Sequence, residues 1–298
     1  MLARVETETN FGRVIVEIRG NSKIKINREN EIGEQDKSLA IWKSYENYRS
    51  GDRVIRSGSG LCGVYDFNPE EPFTNDYVET DTIHSSTCVE LANNIFEQYP
   101  QFFDMYDQFR ITSLLRYHDL GEDERGDKPD DGSSSHEEKF EIELREFIKK
   151  IQYHTVEYQD ILIRDFIIFE HAQSFDWTPR DREVFQFAKL CDKADAPLGA
   201  FIFEKQGRKG SLLYKKKYFG GITDQDEYYA SQTREYSQAA IWTAHMIDAY
   251  QDYEYLKIFV DVIAAACRDT RGMIFPWLWE FLTKRNLFTV EERETYAQ

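Results

Sequence analysis

Residues 14–27, VIVEIRGNSKIKIN, alternate in polarity: Val14, Val16 and Ile18 are separated by polar or lone apolar positions, and Ile24 and Ile26 resume the alternation beyond Gly20 and Asn21. A period of two on either side of turn residues predicts a short β-hairpin. From about residue 35 the apolar spacing lengthens to three and four, over 84–99, 104–120, 136–175 and 180–196, and later over 226–250, 253–267 and 275–284. That spacing predicts helices, so the chain is expected to be mainly α with an N-terminal hairpin. Two polar stretches, KPDDGSSS at 128–135 and EKQGRKGSLLYKKKYFGG at 204–221, interrupt the helical pattern and read as loops long enough to reach over a site. The organisation expected is a hairpin extension at 1–30, a helical core at 31–205, and a basic loop with C-terminal helices packed on that core at 206–298.

With 298 residues, 41% of them hydrophobic and 15% aromatic, the chain can bury a sizeable core. The net charge of −17 weighs against nucleic acid as a partner, because affinity for its backbone comes from Lys and Arg displacing counterions. A small anionic substrate needs a local basic pocket instead. Cys62, Cys88, Cys191 and Cys267 form no CxxC pair and read as reduced core residues. The start MLARVETETNFGR has no long apolar segment, and no run of about 18 apolar residues follows, so a cytoplasmic protein with no membrane partner is expected. The aromatic stretch IFPWLWEF, 274–281, reads either as core or as the interface of a homodimer.

Candidate chemistry enters where polar residues fall on apolar helix faces. Ile111, Leu114, Leu115 and His118 share one face, which turns His118 inward at a helix end beside Asp119. His84, Cys88, Leu91 and Ile95 do the same upstream. In PRDREVFQFAKLCDKADAP, Phe185, Ala188 and Lys189 lead by turn spacing to Asp192, and a carboxylate near an apolar face is costly unless paired or bound to a cation. Two imidazoles and two carboxylates from three helices suit a divalent transition metal with positions left for water and substrate.

An early His, a His-Asp doublet and a later Asp resemble the HD-domain metal-dependent phosphohydrolases. The string HDLGEDERGD, 118–127, is similar to the HDxxExxxGD signature of the bacterial 5′-deoxynucleotidase branch. RVIRSGS, 53–59, is similar to that branch's R-x-G-W segment, and CDKADA, 191–196, to the closing ADKLDA motif. The resemblance spans about residues 35–205. It implies that His84, His118, Asp119 and Asp192 hold a divalent ion of the Mn, Co, Fe, Ni or Mg kind. It further implies that Glu122 positions or deprotonates the attacking water, that Arg56 binds phosphate, and that Asp127 faces the sugar or the leaving oxygen. The implied activity is hydrolysis of a nucleoside monophosphate. A dNTP triphosphohydrolase, a guanosine-alarmone pyrophosphohydrolase, and a non-catalytic nucleotide- or protein-binding scaffold are the alternatives. Where the family has Trp after Arg-x-Gly this chain has Ser59, and Ile83 stands where an acidic residue usually precedes the first His.

Other polar candidates have plainer readings. His154 and His171 lie in the order used by two-metal HD phosphodiesterases, but their flanks QYHTVEY and FEHAQ do not match, and they read as ordinary histidines of long helices. His136 reads as a helix-start residue, and Asp195 as a capping or supporting group. Lys215 opens a KKK run that reads as a solvated loop or, with Lys205, Arg208 and Lys209, as the positive field a nucleotide needs.

Overall fold

The computed structural model describes residues 3–19, 23–30, 37–49, 80–122, 136–170, 177–205, 224–234, 237–285 and 287. They form two compact units, with the described residues up to Lys189 in the first and those from Leu190 onward in the second. The fold is mainly helical with a small N-terminal sheet.

In the first unit, β1 (Ala3–Thr9), β2 (Gly12–Arg19) and β3 (Lys23–Glu29) pair antiparallel in that order. The hairpin expected over 14–27 is β2 with β3, and β1 adds a third strand that the sequence reading missed. Its segment ARVETET carries a single strong apolar residue, Val5, and its place is decided by pairing. Val5 lies opposite Val16, while Ile18 lies between Ala3 and Ile24. Gly12 turns β1 into β2 at φ 121°, and a Cβ there would sit 2.6 Å from the Glu29 carbonyl oxygen, so both conformation and space require glycine.

Helices α1 (Lys37–Arg49), α2 (Asp81–Gln98), α3 (Met105–Tyr117), α4 (His136–Ile151) and α5 (Val156–Glu170) follow, with a 3₁₀ turn over His118–Glu122. The inward face of the sheet packs Val14, Val16 and Ile18 into one core with Leu144, Phe147 and Phe166 of α4 and α5. Phe147 and Phe166 stack at 4.5 Å. The single helix expected over 136–175 is broken at Gln152–Thr155. There the buried Gln159 amide donates to the carbonyls of Gln152 (3.0 Å) and His154 (2.7 Å), satisfying groups that a helix end leaves open.

Helix α6 (Pro179–Lys205) continues past the expected end at 196 and through Pro197, which costs it one backbone hydrogen bond. In the second unit, α7 (Asp224–Thr233), α8 (Gln238–Ala249), α9 (Leu256–Arg271) and α10 (Pro276–Lys284) follow. The helix expected over 226–250 is split: Arg234 takes φ 55°, and the Ser237 hydroxyl caps α8 by accepting from Ala240 N. Phe275, Leu278 and Leu282 of the aromatic stretch and α10 are buried, and Phe201 packs on Phe275 at 5.7 Å. Among the described residues no helix is long and apolar enough to cross a membrane.

A buried ionic cluster braces α3 against α5 and the start of α6. The Arg110 guanidinium donates to Asp165 at 3.1 Å and to Asp181 at 2.8 Å, and Arg180 donates to Asp107 at 2.6 Å. Burial pushes the Asp165 carboxyl up to about 6, with Arg110 opposing. Burial also raises Asp181, but hydrogen bonds from Thr178 and Arg110 hold it below the ordinary carboxylate value. A carboxyl raised by folding contributes stability at low pH that is lost as pH rises from about 4 through about 6; Asp181 acts in the opposite sense and is weakened only at lower pH. Arg110→Met should therefore cost about 3–5 kcal/mol, since it strips two buried carboxylates of their shared cation. Asp165→Asn should cost less and remove the loss of stability between pH 4 and 6. Urea unfolding across that range checks both; an Asp165→Asn variant with the wild-type slope would discredit this account.

Candidate metal centre

Helix α2 starts at a capped end, where the Thr80 hydroxyl accepts from Ile83 N. Its buried side then runs through Asp81, His84, Ser85 and Cys88. His84 is 2% exposed, and the Cys88 sulfur lies 3.6 and 3.7 Å from its two ring nitrogens. As the sequence led us to expect, His84 and Cys88 share the interior face, and Cys88, Cys191 and Cys267 are buried thiols.

Helix α3, capped by the Asp104 carboxylate on Asp107 N, carries Ile111, Leu114 and Leu115 inward and then tightens into the 3₁₀ turn at His118. Two contacts fix that turn. Leu120 joins the sheet–α4–α5 core. Gly121 meets the backbone of α4 so closely that a Cβ would lie 2.6 Å from the Glu143 carbonyl oxygen. The turn therefore presents His118 and Asp119 to α2.

His118 Nδ1 donates to the Leu115 carbonyl at 2.8 Å, which sets the tautomer with Nε2 as acceptor. That Nε2 lies 3.1 Å from Asp119 Oδ1, while His84 Nε2 lies 3.7 Å from Asp119 Oδ2. The two imidazoles are 5.3 Å apart at 58°, and Phe169 closes on His118 edge-to-face at 5.7 Å. One ligand atom from each of His84, His118 and Asp119 lies within 4.8 Å of the others. Ligands about 2.1 Å from one tetrahedral ion stand about 3.4 Å apart, so side chains already within 4.8 Å of one another close on an ion with about an ångström of adjustment. Imidazole and carboxylate are donors for a borderline divalent ion, and these residues fit one.

Glu122 ends the 3₁₀ turn, partly buried. Beside it, burial disfavours the charge of Lys139, yet the carboxylates of Glu143, Glu122 and Glu170 hold its ammonium above the ordinary value. Residues the sequence reading did not single out adjoin the centre. Asp119 lines a narrow cleft with Tyr48, Asp81, Ser85 and Arg116. The cap sequence Thr80-Asp81 ahead of His84 was the available signal for Asp81; Tyr48 and Arg116 carried none.

The remaining expected residues are distributed as follows. Asp192 belongs to the second unit, 5% exposed, with Lys193 Nζ 3.0 Å from its Oδ2, and Asp195 follows it on α6. His136 begins α4. His154 sits at the α4–α5 break, with its ring on Tyr117 and Tyr158, and burial lowers its pKa. Lys205 ends α6. Arg56, Ser59, Asp127, His171, Arg208, Lys209 and Lys215 lie outside the described residues. No family model, curated protein or solved structure matches the chain.

If the three side chains form a metal site, His84→Ala, His118→Ala and Asp119→Asn should each weaken Mn²⁺ or Co²⁺ binding at least as much as losing a supporting residue does, about 10- to 100-fold. His154→Ala should leave it unchanged. Metal content after dialysis, together with calorimetric titration, measures this; three variants that bind like the wild type would remove the site.

Proposed function

We propose that this protein is a cytoplasmic, metal-dependent phosphohydrolase of the HD-domain kind that cleaves the phosphomonoester of a nucleoside monophosphate. The observation that carries the reading is the meeting of His84, His118 and Asp119, ligand atoms within 4.8 Å of one another, at the doublet of the HDLGEDERGD string. A divalent ion in such a group lowers the pKa of bound water and polarises a phosphoryl oxygen.

The chain's own residues supply the rest. The Leu115 carbonyl keeps the proton of His118 on Nδ1, so the ring offers Nε2. The Asp119 carboxylate oxygens lie 3.1 Å from His118 Nε2 and 3.7 Å from His84 Nε2, so the three donors face one another. Glu122 stands one turn of chain beyond His118 and takes the role of accepting the water's proton. Lys139, set among Glu122, Glu143 and Glu170, tempers the negative field that would otherwise repel a phosphate. Arg116 lines the same narrow cleft as Asp119 and adds positive charge beside the centre. Arg56, Asp127 and Asp192 enter this proposal from the resemblance alone.

Phosphate release from a panel of nucleotides, with Mn²⁺, Co²⁺ or Mg²⁺ added, tests the reading. Orthophosphate from monophosphates is expected; triphosphate or pyrophosphate as the product would shift it to the dNTP or alarmone chemistry, and no metal-dependent release would overturn it. Glu122→Gln should slow turnover by about 10² to 10⁴ while metal binding persists. An unchanged rate removes Glu122 from the mechanism. With Ser59 in the family's Trp position, ribo- and deoxyribonucleotides should differ by less than about a hundredfold, because a roomy pocket rejects an added hydroxyl poorly. Matched kcat/KM values for the two sugars decide that point.

A further inference from the structure

A cavity of the first unit lies apart from His84 and His118. It lies between the β1–β2 turn, α1 and the α4–α5 break, and holds about 710 Å³, within the usual range for small-molecule sites. Phe11, Val14, Ala40, Ile41 and Val156 give it apolar walls, and Ile41 leaves 73% of its surface open.

Its charge is opposite to that of the chain. Arg13, Arg28 and Lys37 line it and, among the described residues, no carboxylate does, in a protein of net charge −17. The two arginines are engaged from outside. Arg13 pairs with Glu6 and reaches Glu8 at 3.4 Å and Glu29 at 3.8 Å, while Arg28 pairs with Asp160 at 2.6 Å. Lys37 has no ion pair among the described residues, which leaves its ammonium available to an anion.

Several other polar groups of the wall are already committed. Gln152 Oε1 accepts from Asn10 N at 2.7 Å, and the Tyr153 hydroxyl accepts from Asn10 Nδ2 at 2.8 Å. The Gln159 amide is spent on the carbonyls of the helix break. His154, whose charged form burial disfavours, adds an imidazole ring to the wall. A ligand rich in hydrogen-bonding groups, such as a nucleotide, would find few partners here. An apolar body with one acidic head would bury its body against the walls and set its head on Lys37.

We propose that this cavity is a binding site for a single-headed amphipathic acid, of the fatty-acid or arylalkanoic-acid class, with Lys37 as the carboxylate's partner. It is distinct from the candidate metal centre and does not depend on the phosphohydrolase reading.

Calorimetric titration of the full chain with dodecanoate below its micelle concentration tests the proposal, with dodecyltrimethylammonium as the charge-reversed probe. Saturable binding of one dodecanoate per chain is expected, with the cationic probe far weaker. Lys37→Glu should weaken dodecanoate binding about tenfold or more, the worth of a charged hydrogen bond. Ala40→Trp, which fills the cavity from the partly exposed face of α1, should abolish it while circular dichroism and the melting temperature stay as in the wild type. If Ala40→Trp proves unfolded, Ile41→Trp takes its place. No saturable binding, equal binding of the cationic probe, or undiminished binding to the folded cavity-filling variant overturns the proposal.

Discussion

The 3₁₀ turn from His118 to Glu122 is pinned from two sides, by Leu120 in the sheet–helix core and by Gly121 against the Glu143 carbonyl of α4. A side chain at Gly121 would collide with backbone, which cannot swing aside, so the approach exists only because the residue has no Cβ. From this contact the rest of the centre follows. The helix ending at Tyr117 cannot continue straight into α4, and the tightened turn points His118 and Asp119 at α2. Glu122, at its end, comes within electrostatic reach of Lys139. The sheet matters to the chemistry through the same contact, because Val14, Val16 and Ile18 complete the core into which Leu120 is set.

The first unit buries two polar clusters, and they are built differently. Around Arg110 each carboxylate meets a guanidinium, and burial eases Asp165 toward its neutral form. That cluster is complete within the chain and serves to hold α3, α5 and the head of α6 together. Around Asp119 the neighbours are two imidazoles, whose ring nitrogens and carboxylate oxygens offer lone pairs toward a shared point. Such a group gains from a cation in a way that the arginine cluster does not.

Gln159 links two further features of the unit. Its amide closes the break between α4 and α5, and the same break forms one wall of the apolar cavity under the sheet. The His154 ring, at that wall, packs edge-on against Tyr117, the residue before His118. The cavity and the doublet thus share a neighbour, although each is built from its own residues.

Much of this was legible in the sequence, because periodicity is a local property of the backbone. Alternation over 14–27 can satisfy only a strand pair with one buried face, and the spacing of Ile111, Leu114, Leu115 and His118 can only turn the histidine inward. The chemistry of the donors was equally plain, since His, Asp and Glu declare it by type. Packing decided the remainder. β1 holds its place by pairing with β2, not by its own weak alternation. The break at 152–155 and the fresh helix start at Ser237 are made by Gln159 and Ser237 satisfying helix ends, inside stretches whose apolar spacing never lapses. That His84 lies within reach of Asp119, and that Gly121 is indispensable, depends on which apolar faces meet, and distances between remote segments are set by that packing alone.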